Sequence, residues 1–184
     1  VLKMDDGTEW KTDSLNLASM YEDTGYINNK IGFGLSGKMG LATPKTTYIE
    51  VFMNGRPQGL YLGVQKPQKV SKKLGSAIIL RRRDKGNTEV KKFFPEIGPF
   101  TEIQYNKGIA EVYAPLLKDP EEKRGVHEMA SRRINMKQYY QLLALNSLLK
   151  NGDYTDELFL YSRPNVPFLA FDVMGWDFED LFND

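Results

Sequence analysis

Two clusters of acidic residues near the C-terminus are the residues best suited to chemistry. The first, Asp153 to Glu157, follows the pair Asn151-Gly152, and the second, Asp177 to Asp180, follows Trp176. Carboxylates at the ends of short buried strands can hold a divalent cation and accept a proton, which are the two tasks of a phosphoryl-transfer site. From spacing alone, solvated turns are the more common explanation, because Asn, Gly and Asp are ordinary turn formers.

The composition narrows the kinds of site that these residues can build. The chain has no cysteine and a single histidine, His127, so disulfides, thiolate metal sites, His-rich zinc centres and a Ser-His-Asp triad are all disfavoured. A metal site would therefore use oxygen ligands, which favours magnesium, manganese or calcium. The net charge is +1, from 25 basic and 24 acidic residues. This balance gives no electrostatic case for a nucleic-acid partner or an anionic membrane.

The length of 184 residues suits a single domain with a sizeable core. No run approaches the ~18 consecutive apolar residues of a transmembrane helix, so we expect no membrane span. We divide the chain into a sheet-rich part (1–83), an irregular insertion (84–134), and a part that contains a core helix and the acidic segments (135–184).

The sheet-rich part carries the clearest local signals. Asn54-Gly55, between alternating apolar and polar residues, predicts a β-hairpin. Its strands are Thr46 to Met53 and Leu60 to Val64, and we expect Ser76 to Leu80 to add a third, buried strand to the same antiparallel sheet. The other predictions here are a short hairpin over Val1 to Trp10, an irregular stretch over Asp13 to Asn28, and a helix from Lys30 to Met39 capped by Asn28-Asn29.

The C-terminal part must position the acidic clusters. Asn135 is a suitable cap for a helix over Met136 to Lys150, whose apolar positions cover most of its circumference and predict a buried helix. A left-handed turn at Asn151-Gly152 would then direct Asp153 toward a cleft. Strands are predicted at Leu158 to Tyr161 and at Phe168 to Phe171. The fold class is therefore predicted to be α+β, an antiparallel sheet beside a helical layer.

Motifs along the chain resemble those of the spore coat protein H (CotH-like) kinase family. The C-terminal motifs are YYQLLALNSLLKNGD (139–153), ELFLY (157–161) and WDFEDLF (176–182). Upstream, Leu15-Asn16-Leu17, Asn29-Lys30-Ile31, MGLATP (39–44) and VFMNGRPQGLYLGV (51–64) match in the same order. The resemblance implies an atypical protein-kinase-like fold, with a sheet lobe and a helical lobe, that is truncated at the C-terminus in this chain.

The resemblance also implies a function. Members of this family transfer the γ-phosphate of ATP, with Mg or Mn, to Ser/Thr hydroxyls of a protein substrate. The resemblance also places the protein in the spore coat, at the cell surface or outside the cell. By the same resemblance, Asp153 orients and deprotonates the acceptor hydroxyl, and Asp177 binds the metal. Glu157 stands where the family usually has an asparagine, and it or Asp156 would supply a further oxygen ligand, with Glu179 sharing the metal.

Two positions depart from the family pattern and leave alternatives open. Gln65 stands where the family usually has a glutamate, and Arg81 or Arg82 stands where it has the nucleotide-binding lysine. The run Arg81 to Arg83 is also compatible with a solvated strand end, and Asp172 competes with Asp177 as the metal ligand. The alternatives to an active kinase are a nucleotide-binding pseudokinase and a structural coat or adhesion module.

Overall fold

A computed structural model describes residues 2–3, 9–10, 14–21, 23, 25–82, 88–92, 126–152, 157–164, 166 and 169–182. Within these ranges the protein is α+β, as predicted. The strands are β1 (Leu2–Lys3), β2 (Glu9–Trp10), β3 (Leu15–Ala18), β4 (Thr46–Met53), β5 (Arg56–Gln65), β6 (Ile78–Arg82), β7 (Thr88–Lys92), β8 (Leu158–Ser162) and β9 (Phe171–Gly175). The helices are α1 (Asn28–Lys38), α2 (Pro67–Lys73), α3 (Val126–Ser131) and α4 (Met136–Leu148).

The predicted β4–β5 hairpin is confirmed and forms part of a three-stranded sheet, in the order β3-β5-β4. Asn54 and Gly55 both have positive φ angles, +54° and +75°, which is the geometry of a tight hairpin turn. The register shifts between Val51 and Phe52, opposite Gly59, whose φ of +109° only glycine adopts readily. This bulge lets β5 extend back to Arg56, four residues earlier than predicted.

The predicted third strand does not join this sheet. It forms as β6, in a separate four-stranded sheet with the order β7-β6-β8-β9, and every pairing in it is antiparallel. The strand predicted at Phe168 to Phe171 forms later, as β9, because Phe171 is the first residue that pairs with β8. Two strands, β3 and β7, lie in stretches predicted to be irregular. The short β1–β2 hairpin is confirmed by its pairing, and its turn lies outside the described residues.

The two predicted helices, α1 and α4, begin near their predicted positions, while α2 and α3 were not predicted. The capping position of α1 is Ile27, and neither Asn28 nor Asn29 caps it, so the predicted cap is wrong. Asn135 does cap α4, since its Oδ1 accepts a hydrogen bond from the Gln138 amide at 3.3 Å. The left-handed residue after α4 is Lys150, with φ +51°, where Asn151-Gly152 was predicted.

The sequence predicted that α4 would be buried over most of its circumference, but only one face of the helix is buried. Its buried residues are Leu142, Leu145 and Asn146, whereas Tyr140 and Leu148 are exposed. The buried face joins one apolar cluster that also includes Phe33 of α1 and residues of β5, β6, β8 and β9. None of the helices in the described ranges is long and apolar enough to cross a membrane.

Candidate functional site

The segment after β9, residues 176–182, is held by three hydrogen bonds to the start of β8 and the end of α4. The Trp176 amide donates to the Glu157 carbonyl at 2.9 Å, beside the start of β8. The Phe182 amide donates to the Leu149 carbonyl at 2.8 Å, and the Gly152 amide donates to the Asp180 carbonyl at 3.4 Å. These bonds fix the second acidic cluster against the end of α4. The residue on which the first cluster starts, Asp153, lies outside the described residues.

Two neighbouring asparagines on α1 anchor the same segment. Asn28 Nδ2 donates to the carbonyls of Glu179 and Leu181, at 2.9 and 3.3 Å. Asn29 Oδ1 accepts a hydrogen bond from the Phe178 amide at 2.7 Å. The backbone directly after Asp177 is thereby connected to the first turn of α1.

Edge-to-face aromatic contacts continue this connection through the core. The Phe33 ring lies 5.5 Å from Trp176 and 5.3 Å from Phe178, and Phe159 lies 5.4 Å from Trp176. Gly32 makes the approach of Phe178 possible, because a Cβ at Gly32 would overlap the phenylalanine side chain. The packing therefore requires a glycine at this position of α1.

A partly open cleft of about 160 Å³ lies between β3, the end of β5, α1 and the segment after β9. It is lined by Asn16, Leu17, Ala18, Asn29, Phe33, Val64, Trp176 and Asp177, and we call it the Asp177 cleft. Asp177 has a φ of +48°, in the left-handed region that aspartate adopts more readily than most residues. Among the described residues that line the cleft, Asp177 is the one predicted metal ligand.

Asn29 was noted in the sequence as part of a motif and as a helix cap, but it was not predicted as a site residue. It is 2% exposed, and its Nδ2 is buried without a hydrogen-bond acceptor among the described residues. An asparagine at a helix start suggests a cap, and its actual partner, Phe178, is 149 residues away. No local signal could have identified that contact.

Arg81 and Glu157, predicted for nucleotide and metal respectively, form an ion pair. Arg81 Nη2 lies 3.3 Å from both carboxylate oxygens, and the two side chains are 22% and 10% exposed. Arg81 pairs with Phe159 across β6 and β8, and its guanidinium lies 5.6 Å from the ring centroid. Arg81 Nε is buried without an acceptor in the described part of the chain. The Glu157 carboxylate therefore already has a cationic partner.

The other predicted site residues lie elsewhere. Gln65 is buried at the end of β5, where its Oε1 accepts a hydrogen bond from the Lys45 amide at 3.2 Å. Arg82 ends β6, with its backbone paired to Thr88, and its side chain lies outside the described part. Glu179 is half-buried one residue beyond Phe178. Asp153, Asp156 and Arg83 lie outside the described residues.

Asp172, the competing metal-ligand candidate, is part of the fold's framework. Its Oδ1 accepts hydrogen bonds from Arg163 Nε and from Asn135 Nδ2, both at 2.8 Å. These contacts connect β9 to the residue that caps α4. Burial, together with the nearby Asp172 carboxylate, raises the pKa of Tyr161 to about 12. Asp172 thus supports the helix start, and it is not among the residues that line the Asp177 cleft.

The described residues contain no group of three or more acidic or histidine side chains that could hold a metal ion. This does not conflict with a nucleotide-bound metal, because Mg²⁺ commonly takes one or two carboxylates, with phosphate oxygens and waters as its other ligands. Asp177 provides one carboxylate at the cleft, and Asn29 provides a buried donor beside it. This combination fits a metal-bound phosphate group.

Comparison with known proteins agrees with the sequence motifs. No curated protein matches the chain. The profile of a protein family described as CotH kinase protein matches residues 4–184, which is almost the entire chain. The chain therefore belongs to the CotH kinase protein family, and this membership suggests a CotH-like kinase or coat-related role.

Proposed function

We propose that the protein is an ATP-dependent protein kinase that uses Mg or Mn and transfers the γ-phosphate to Ser/Thr hydroxyls of a coat or surface protein. The observation that carries the proposal is the position of Asp177 at an open cleft, in a segment anchored to both α1 and the end of α4. A carboxylate held in this way suits a metal ligand, because the hydrogen bonds keep its backbone in place when a charged ligand binds or leaves.

The size of the cleft indicates which part of ATP it would accept. Its volume of about 160 Å³ is smaller than the ~300 Å³ at which small-molecule pockets usually begin. The cleft therefore suits phosphate groups and a metal ion, with the nucleoside outside it. Asp177 would hold the metal, which would neutralise charge on the phosphate oxygens.

Asp153 is proposed as the residue that orients and deprotonates the acceptor hydroxyl. Support comes from its neighbour, since the Gly152 amide is bonded to the Asp180 carbonyl at 3.4 Å. The residue directly before the first acidic cluster is thus hydrogen-bonded to the second cluster. In this proposal Asp153 touches the hydroxyl and Asp177 touches the metal, so the two carboxylates have separable roles.

A second candidate function is a nucleotide-binding pseudokinase or a structural coat module. It is favoured by the partners of two predicted nucleotide-binding residues. Arg81 is bonded to Glu157, and Gln65 is bonded to the Lys45 backbone, so both side chains already have partners without a nucleotide. Under this alternative the Asp177 cleft would bind ATP without phosphate transfer, or would bind none.

The two aspartates provide the test. Asp177→Asn is expected to abolish metal-dependent ATP binding, while Asp153→Asn keeps nearly the full affinity and loses most phosphate transfer, measured by titration calorimetry and a radiolabel transfer assay. Asp172→Asn is the matched control, and it is expected to retain metal-dependent ATP binding.

Three outcomes contradict the proposal in different ways. Equal loss of binding in the Asp153 and Asp177 variants would show that the roles are misassigned. Binding without transfer by the unmodified chain would support the pseudokinase. A folded chain that binds no ATP would support the structural module.

A further inference from the structure

The Asn29 side-chain amide has a buried donor that meets no acceptor among the described residues. Asn29 lines the Asp177 cleft, yet its Nδ2 has no acceptor among the residues described. A buried donor without a partner costs about 1–3 kcal/mol. Native proteins rarely retain such a group unless another molecule or ion supplies the missing partner.

The orientation of this amide follows from its other contact. The Phe178 backbone N–H can only donate, so the Asn29 atom that faces it at 2.7 Å must be the carbonyl oxygen. Nitrogen and oxygen of an asparagine side chain are assigned from such partners. The remaining atom is therefore the NH₂ group, which can donate to a ligand but cannot bind a metal ion.

The chemistry of the cleft identifies the acceptor that this donor would meet. Asp177 lines the same cleft and brings negative charge, which by itself repels an anion. A phosphate group would thus enter together with a cation on Asp177, and its oxygens would be strong acceptors for an amide N–H. The two residues are complementary in this respect, since one attracts the metal and the other the phosphate.

We propose that Asn29 Nδ2 binds an oxygen of a metal-bound phosphate group in the Asp177 cleft, while Asn29 Oδ1 holds the Phe178 amide that fixes the Asp177 backbone. This inference rests on the proposed function for the identity of the ligand. It adds a phosphate-binding residue on α1, outside the segments from which the other candidate residues come.

The experiment compares Asn29→Leu and Asn29→Asp with Asn28→Ala in the full chain. Asn28 is the matched control, because it is the adjacent asparagine and bonds to the same segment through the carbonyls of Glu179 and Leu181. Asn29→Asp keeps an acceptor for the Phe178 amide, so it preserves the anchoring bond, but it removes the donor and also adds a negative charge. Asn29→Leu removes the donor without adding charge. The probes are Mg²⁺ with inorganic tripolyphosphate, Mg²⁺ with ATP, and Mn²⁺ alone, by titration calorimetry, alongside thermal unfolding.

Both Asn29 variants are expected to bind Mg²⁺–tripolyphosphate about ten- to a hundredfold more weakly, the effect of losing one hydrogen bond to a charged group. Asn28→Ala is expected to lower the unfolding temperature and to weaken tripolyphosphate binding less than either Asn29 variant does. Unchanged affinity in Asn29→Asp, with ATP still bound, would overturn the inference and leave the kinase proposal standing. Tighter Mn²⁺ binding by Asn29→Asp, with tripolyphosphate affinity unchanged, would also overturn it and assign the position to the metal.

The probes also separate this inference from the kinase proposal. If the unmodified chain binds tripolyphosphate in an Asn29-dependent way but does not bind ATP, the kinase proposal fails and the phosphate contact remains. If the folded chain binds neither probe, both proposals are wrong.

Discussion

The two larger sheets differ in how deeply they are buried. In the four-stranded sheet, Ile78, Leu80, Phe171 and Val173 are inaccessible to solvent. In the three-stranded sheet only the inner end is buried, around Leu62 and Val64, while Phe52, Met53 and Leu60 near the hairpin turn are exposed. The four-stranded sheet therefore acts as the frame from which the segment carrying Asp177 continues. The three-stranded sheet contributes only its inner end to the wall of the Asp177 cleft.

A matched pair of phenylalanine substitutions tests this difference most strongly. Phe171 in β9 is 0% exposed and Phe52 in β4 is 58% exposed. Phe171→Ala is expected to lower the free energy of unfolding by about 3–5 kcal/mol, because it leaves a cavity in the core. Phe52→Ala is expected to change it by less than about 0.5 kcal/mol. Urea unfolding measures both, and similar losses would mean that the hairpin is buried against something in solution.

Substitution of one glycine in each sheet compares how rigidly the two sheets are packed, with a smaller expected loss of stability. A Cβ at Gly175 in β9 would lie 2.7 Å from both Leu142 Cδ1 and Phe178 Cζ, and the phenylalanine ring has little room to move. Gly175→Ala is expected to cost about 1–3 kcal/mol through overpacking. The obstacle at Gly63 in β5 is the flexible end of the partly exposed Ile49 side chain, so Gly63→Ala is expected to cost less. Thermal unfolding of both variants gives the order, and the reverse order would contradict the rigidity assigned to β9.

The Arg81–Glu157 ion pair tests whether the frame also fixes charges. Arg81→Met leaves the Glu157 carboxylate, only 10% exposed, without this cation, and is expected to cost about 1–3 kcal/mol. The control is Arg132→Met, which breaks a pair with Glu128 whose side chains are 72% and 71% exposed, and which is expected to cost at most about 1 kcal/mol. Urea unfolding compares the two. A weaker affinity for ATP in Arg81→Met alone would show that this arginine also contacts phosphate.

The smallest expected effect is a dependence on alkaline pH at Tyr161 in β8. Burial raises its pKa to about 12 from the usual 10.0, so the folded state favours the neutral hydroxyl. That contribution to stability is complete below pH 10 and is lost as the pH rises toward 12. Tyr161→Phe is therefore expected to lose less stability than the unmodified chain between about pH 9 and about pH 11. Tyr140→Phe, at an exposed tyrosine, controls for the loss of a hydroxyl, and parallel curves for Tyr161→Phe would contradict the prediction.

The parts of the fold that the sequence predicted correctly depend on local chemistry. Asn54-Gly55 determines its turn through the φ angles of two residues, and Asn135 caps α4 three residues before its partner. Strands β3 and β7 were missed because neither has an apolar run of its own, and each exists through pairing with β5 or β6. The division into two sheets depends on which strands meet across long separations, and single-strand patterns carry no information about that.

In the candidate site, too, local features were predictable from the sequence and long-range contacts were not. Asp177 was identifiable because its motif is contiguous, and it does line a cleft. The ion pair between Arg81 and Glu157 joins residues 76 positions apart, and Asn29 meets Phe178 across 149 positions. The sequence motifs identified Arg81 and Glu157, but predicted that the first binds the nucleotide and the second the metal. Whether Arg81 and Gln65 contact a nucleotide stays a prediction.

The aromatic contacts of Trp176 have a practical consequence for spectroscopy. The chain has two tryptophans, and Trp176 is a buried indole that lines the Asp177 cleft between the rings of Phe33 and Phe159. Substitution of Trp10 by phenylalanine would leave Trp176 as the single tryptophan of the chain. Because indole emission shifts with the polarity of its surroundings, entry of a charged ligand into the cleft would shift the wavelength of maximum tryptophan emission, with no label attached.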